Sequence, residues 1–219
     1  MPIDVRLNAI VDPERAGGRP LVELARAVVA GGATLVQLRD KLGSTRRMIE
    51  EARALVDLLA PLGVPLVVND RVDVALAAGA AGVHVGPDDM AIEDARALLG
   101  PGAVIGHSIK TLEQAESVPL ELLDYAGVGG VYATLSKDNP APPMGPEGFA
   151  AIRAVLRRRA PLMPVVGIAG IDAANAAAVI VAGADGVAVI SALSLAADPE
   201  LAARTVRSVV DGVLAERTE

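Results

Sequence analysis

The stretch Ala78-Gly79-Ala80-Ala81-Gly82-Val83-His84-Val85-Gly86-Pro87-Asp88-Asp89 holds one pass of the unit from which this chain is built. A helix-like run ends at Ala78, and Gly79 offers the left-handed backbone that closes a helix. Small residues then let helix and strand approach closely, Gly82–Val85 reads as a short buried strand, and the chain turns polar after it. The helix-end-to-strand phrase returns as Ala182-Gly183-Ala184-Asp185-Gly186-Val187 and, in part, as Ala30-Gly31-Gly32-Ala33.

Working outward from this unit, short Val, Ile and Leu runs recur at Leu7–Val11, Leu35–Leu38, Leu66–Val68, Gly82–Val85, Ala103–Gly106, Tyr125–Val128, Met163–Gly167 and Gly186–Ile190. Segments of helical period lie between them, most clearly over Arg46–Leu59, Ile92–Leu99, Gly148–Arg158, Ala173–Ala182 and Leu201–Ala215. Thr111 with Gln114 reads as a capping box and Asp172 as an N-cap. Such alternation predicts βα units on a parallel sheet. Eight strands can close into a barrel or stay open as a doubly wound sheet. No G-x-G-x-x-G follows the first strand, which weakens a dinucleotide fold, so the expectation is an α/β (β/α)8 TIM barrel, one domain over residues 1–219.

Composition narrows the function classes. The chain is 52% hydrophobic but only 1% aromatic, so its core must be built from Val, Leu, Ile and Ala. Without cysteine it has neither disulfides nor thiolate metal ligands. No apolar run approaches the roughly 18 residues of a membrane span, and the start lacks a signal-peptide pattern, so a cytoplasmic protein is expected. A net charge of −7 speaks against nucleic acid as a partner and requires an anionic substrate to meet basic residues gathered locally. Of the 20 Lys and Arg residues only Lys41, Lys110 and Lys137 are lysines. Arginine does the routine surface work, and the lysines fall where a compact point charge is of use. Whether copies associate as a homo-oligomer is left open.

Polarity gathers at one end of the strands. Gln37-Leu38-Arg39-Asp40-Lys41 spans the end of the second strand, Asn69-Asp70-Arg71-Val72-Asp73 follows the third, Pro87-Asp88-Asp89 the fourth and His107-Ser108-Ile109-Lys110 the fifth. The sixth leads to Thr134-Leu135-Ser136-Lys137, the seventh to Gly167-Ile168-Ala169-Gly170 and the eighth to Ile190-Ser191. The opposite connections are mostly Gly, Ala and Pro. In a parallel barrel the polar end is one face, the face on which active sites form. A lone Asp after a strand is usually a cap or a surface carboxylate. Asp70 and Asp89 on neighbouring strands, beside Lys and Arg, point instead to Mg²⁺, which binds through few carboxylates and bridges phosphate oxygens. Gly170 and Ser191 suit a phosphate held by backbone amides after the last two strands, although Gly170 also reads as a plain turn glycine. His84 reads as structural, His107 as ambiguous, and Arg71 as a partner of Asp73 or Asp70. The proline-rich loop Asp138–Pro146 reads equally as a rim flap and as a rigid connector.

These motifs, in this order and spacing, resemble the thiamine phosphate synthase family across nearly the whole chain. The carriers are Gln37–Lys41, Asn69–Asp73, Gly82–Asp89, Gly127-Val128-Gly129, Thr134-x-Ser136-Lys137 and Gly183–Ser191. The resemblance implies a transferase. It joins an aminopyrimidine carrying a CH2-diphosphate to a thiazole phosphate (or its carboxylated form), giving thiamine phosphate and diphosphate. It implies that Gln37, Leu38, Arg39, Asp40, Lys41, Asn69, Ser108 and Lys137 hold the pyrimidine diphosphate. Among these, Arg39, Lys41, Lys137 and Ser108 would stabilise the departing charge. Thr134, Leu135, Ser136, Gly170, Ile190 and Ser191 would surround the thiazole phosphate, and Asp70 and Asp89 would ligate Mg²⁺. Three positions depart from the family pattern: Ser136 stands for Thr, Ala169 for the first glycine of a Gly-Gly pair, and Ile109-Lys110-Thr111 for a run containing His. A thiazole tautomerase or related paralogue would not need both Asp70 and Asp89. A phosphosugar epimerase would want more histidine than the two present, and a non-catalytic precursor-binding protein would show no turnover.

Overall fold

The structure, a computed structural model, describes residues 3–134, 136 and 142–217. Eight parallel strands close on themselves in sequence order: β1 (Leu7–Val11), β2 (Leu35–Leu38), β3 (Leu66–Asn69), β4 (Gly82–Val85), β5 (Val104–Ile109), β6 (Tyr125–Gly129), β7 (Val165–Ile168) and β8 (Gly186–Val189). Closure is made by β1 on β8, with Asn8 opposite Ala188. The helices between them are α1 (Leu21–Ala30), α2 (Thr45–Leu59), α3 (Val72–Ala78), α4 (Ile92–Leu99), α5 (Leu112–Ser117), α6 (Gly145–Arg159), α7 (Ala176–Val181) and, after β8, α8 (Ser191–Ser194) and α9 (Pro199–Glu216). This is the expected (β/α)8 barrel. No helix among the described residues is long and apolar enough to cross a membrane.

Alternation along each strand divides the core in two. One row, including Ile10, Leu35, Val67, Tyr125, Val166 and Ala188, fills the barrel interior. The other, including Val36, Leu38, Val68, Val83, Val85 and Ile105, packs outward under the helices. With a single Phe and no Trp in the chain, β-branched and small residues carry both layers. The repeated glycine phrase now has its physical reason. Gly79 closes α3 at φ 69°, and a Cβ at Gly82 would overlap the Val104 carbonyl of the neighbouring strand. Gly183 and Gly186 repeat the pattern before β8.

Boundaries differ from the sequence expectation in a few places. β5 runs on to Ile109, and α7 starts at Ala176 rather than Ala173. The reason for the second shift is Asp172: its carboxylate accepts from the amides of Ala174 (2.8 Å) and Asn175 (3.2 Å), closing a turn ahead of the helix rather than capping it. Thr111 does cap α5, accepting from Gln114 N at 3.1 Å, while Gln114 Oε1 accepts from the Lys110 amide at 2.7 Å.

Arginine does more than surface work. Arg96 donates to the carbonyls of Gly100 (3.2 Å), Ala103 (2.6 Å) and Leu122 (2.8 Å) and to Asp124 Oδ2 (2.8 Å), tying the connections ahead of β5 and β6 together. Arg159 reaches the carbonyls of Ala115 (2.7 Å) and Val118 (2.8 Å), and Arg217 that of Ala184 (2.7 Å). A planar fork can serve two or three carbonyls at once, which an ammonium on a flexible stem does poorly. Arg96→Met should therefore lower the unfolding free energy by about 2–3 kcal/mol, read by urea denaturation. A loss below about 0.5 kcal/mol would show that these bonds contribute little.

Candidate functional site

The polar strand ends form two concavities on one rim. The first, a cavity of about 340 Å³, is lined by Arg39, Lys41, Asn69, Asp70, His84, Gly86, Pro87, Asp88, Asp89, Ser108 and Lys110, from β2 to β5 and the loops after them. Arg39 extends the inward row of β2, and its guanidinium is paired with the fully buried Asp12, beyond the end of β1. Asp12 also accepts from the Glu14 amide at 2.9 Å, so the pair is anchored. Asp70 sits at φ 64°, a conformation that Asp and Asn tolerate better than most residues. Its amide donates to the His84 carbonyl at 2.8 Å, and its carboxylate pairs with Lys41. Asp89 accepts from Gly86 N at 2.7 Å, which folds the β4–α4 loop back on itself. Burial pushes the Asp70 carboxyl up; Lys41 opposes this and the neighbouring Asp89 adds to it.

A cation beside Asp70 would relieve that pressure. A carboxylate pushed up by burial and by a second carboxylate beside it, on a rim that also carries Lys41 and Asn69, suits a hard cation held by few protein ligands. Among the described residues no cluster of three or more acidic, His or Cys side chains could cage a metal. Asp70 and Asp89 are two of the carboxylates that line the first cavity.

The second cavity, about 370 Å³, lies over β6 to β8 and includes Ala133, Thr134, Ser136, Ala169, Gly170, Ile190, Ser191 and Ala192. Ser136 Oγ donates to Ser191 Oγ at 3.1 Å, and Thr134 Oγ1 accepts from Ser136 N at 3.1 Å, so three hydroxyls converge. Gly170 has φ 64°, and a Cβ there would overlap the Ala133 carbonyl; it is both a turn glycine and a lining residue. Ala169, where the family pattern has glycine, is held at φ 89°.

The structure gathers most of the expected residues and turns a few away. Gln37 is inward-facing and buried below Arg39, whereas Leu38 alternates outward into the helix-side core. Asp40 points into its own loop, accepting from the amides of Leu42 (3.0 Å) and Gly43 (2.7 Å). The Leu38 and Asp40 side chains therefore do not face the cavity. Leu135 and Lys137 lie outside the described residues, as do residues 138–141 of the proline-rich loop. Arg71 pairs with Asp73, at 2.6 Å, rather than with Asp70. His107 alternates outward and lines a separate crevice between α4 and α5; burial holds its pKa below the ordinary value. His84 lines the first cavity, and its ring bonds Ser108 on the rim at 2.9 Å. Asp12 was missed. The signal was a charged residue directly after the Leu7–Val11 strand, as at the other strand ends.

A closed (β/α)8 barrel with a mixed cationic and acidic cavity beside a hydroxyl-lined one defines an enzyme for anionic, phosphorylated substrates. Comparison with known proteins gives the family. The profile of the family described as thiamine monophosphate synthase matches residues 7–193. The thiamine-phosphate synthase of Agrobacterium fabrum is 53% identical over 215 residues, covering 98% of both chains. That of Albidiferax ferrireducens is 49% identical over 216 residues, covering 96% of both. A solved thiamine phosphate pyrophosphorylase from Pyrococcus furiosus superposes with a TM-score of 0.84 at 38% identity, covering 97% of this chain and 98% of that one. The chain belongs to the thiamine monophosphate synthase family, and is a transferase of thiamine biosynthesis as its motifs implied.

Ala169 yields a stability prediction. A non-glycine residue at positive φ costs about 1–2 kcal/mol, while glycine costs about 0.5–1 kcal/mol more chain entropy than alanine. Ala169→Gly should therefore leave stability unchanged or raise it by up to about 1 kcal/mol. The control Ala75→Gly, inside α3, should lose about 1 kcal/mol. Equal losses in both variants would show that Ala169 is unstrained.

Proposed function

We propose that the two cavities divide the substrates of the synthase reaction. The pyrimidine diphosphate lies over β2 to β5 and the thiazole phosphate over β6 to β8. One observation carries this: cations and a carboxylate pair line one cavity, while hydroxyls and a close-approach glycine line the other, side by side on one rim. In the reaction the bond from the pyrimidine methylene carbon to the diphosphate oxygen breaks, its electron pair leaving with diphosphate. The thiazole nitrogen then supplies the pair for the new carbon–nitrogen bond. Such a step needs stabilisation of departing charge rather than a general base. Arg39, Lys41, Ser108 and Lys137 are the groups proposed for it, with Gln37 and Asn69 orienting the pyrimidine. Asp12 holds Arg39 in place and Asp70 holds Lys41. Bound through Asp70 and Asp89, Mg²⁺ would supply neutralisation of diphosphate oxygens. Thr134, Ser136, Gly170 and Ser191, with Ile190 beneath, receive the thiazole phosphate. The acidic, cysteine-free chain suits a cytoplasmic enzyme.

The decisive experiment is turnover. With both substrates and Mg²⁺, one diphosphate should appear per thiamine phosphate; product without matching diphosphate would overturn the reading. Asp70→Asn or Asp89→Asn should lower kcat by at least about a hundredfold. Either variant retaining full activity in excess EDTA would remove the metal assignment.

Lys110 belongs to the first cavity. It is exposed, lines the cavity from the end of β5, and among the described residues its ammonium has no carboxylate within ion-pair distance. A cation just ahead of a helix start is disfavoured by the helix dipole by about 0.3–1 kcal/mol, and an anionic substrate would offset that. Lys110→Met should lower kcat/KM for one substrate by about ten- to a hundredfold. Unchanged kinetics would return Lys110 to the solvated surface.

A further inference from the structure

Beneath the first cavity, inside the barrel, lies a polar chain that packing alone does not require. His84 Nδ1 is 2.9 Å from the Tyr125 hydroxyl, and His84 Nε2 is 2.9 Å from Ser108 Oγ. Tyr125 is fully buried, and the Asn8 side chain acts on its hydroxyl. Space for the ring is carved by Gly106, its register partner on β5, where a Cβ would overlap the tyrosine. Gly127, where a Cβ would come within 3.1 Å of His84 Cε1, makes room for the imidazole.

A count of donors gives the proton positions that this polar chain requires to act as one unit. Asn8 Oδ1 has no hydrogen-bond partner among the described residues, and the Asn8 side chain favours the charged form of the phenol, as a donating amide nitrogen does. The phenol's single proton is then left for His84 Nδ1. An Nδ1 that accepts puts the ring proton of a neutral imidazole on Nε2. From there it is donated to Ser108 Oγ, which frees the serine's own proton to point into the cavity. We propose that Asn8, Tyr125 and His84 form a buried relay that fixes the Ser108 hydroxyl as a hydrogen-bond donor toward the substrate, making Tyr125 a positioning residue for the reaction. The proposal rests on the reading that Ser108 meets the pyrimidine diphosphate.

The test has two arms. In wild-type protein, long-range ¹⁵N correlation of the imidazoles, of which there are two in the chain, should show His84 as the Nε2–H tautomer. In Tyr125→Phe that preference should weaken. In steady-state kinetics Tyr125→Phe should lower kcat by about five- to twentyfold. KM for thiazole phosphate should stay unchanged, and the same substitution should have no further effect in a Ser108→Ala background. An Nδ1–H or doubly protonated His84 in the wild type overturns the relay, and this arm needs no variant to fold. Equal losses from Tyr125→Phe with and without Ser108 also overturn it, because they show a packing effect. A kinetically silent Ser108→Ala beside a retained Nε2–H signal would instead refute the substrate reading of Ser108 and leave the relay's geometry standing.

Discussion

Side chains on a closed parallel barrel have two directions, and the chemistry of this protein depends on which strand positions point inward at the rim. On β2 the inward row is Leu35 and Gln37, continued by Arg39; on β3 it is Val67 and Asn69; on β5 it is Gly106 and Ser108, continued by Lys110. Apolar or small residues occupy the lower positions and polar ones the upper. A one-residue slip in any strand would bury Arg39 or Ser108 under the helices and turn Leu38 or Ile109 into the cavity. The small residues at the strand starts, Gly82 and Gly186 among them, let neighbours approach closely enough to hold that register.

Charge is distributed on the same logic. Arginines such as Arg96 and Arg159 serve backbone carbonyls in the connections, where a fork satisfies several acceptors together. Lys41 and Lys110 stand on the rim, where a point charge can meet a mobile anion. Within the first cavity, Arg39 and Lys41 are each steadied by a carboxylate, Asp12 and Asp70. The acidic chain thus places Lys41, Lys110 and Arg39 on this rim, and it keeps Asp70 beside Asp89, which together with burial pushes the Asp70 carboxyl up.

The barrel was legible because the strands are short and apolar, several of them introduced by glycine, and because polar residues collect at one end of most repeats. Strand ends were less so: the β5 extension through His107-Ser108-Ile109 is polar in composition but inward-and-outward in alternation, a pattern visible only once its neighbours are paired. Asp40 sits within a motif that matches the family, yet nothing local shows that its carboxylate folds back on Leu42 and Gly43. His84, flanked by valines, looked like core filling. Its ring contacts are with Tyr125 and Ser108, 41 and 24 residues away, and contacts at that distance leave no trace in local spacing.

The central claim is that the rim holds two different anions in two separate places. The most direct test is calorimetric titration of wild type, Asp89→Asn and Ser191→Ala, with Mg²⁺-diphosphate and with thiazole phosphate as separate ligands. The account predicts a crossed pattern: Asp89→Asn loses Mg²⁺-diphosphate affinity and keeps thiazole phosphate, and Ser191→Ala does the reverse. If both substitutions weaken the same ligand, or neither discriminates, the division of the rim is contradicted.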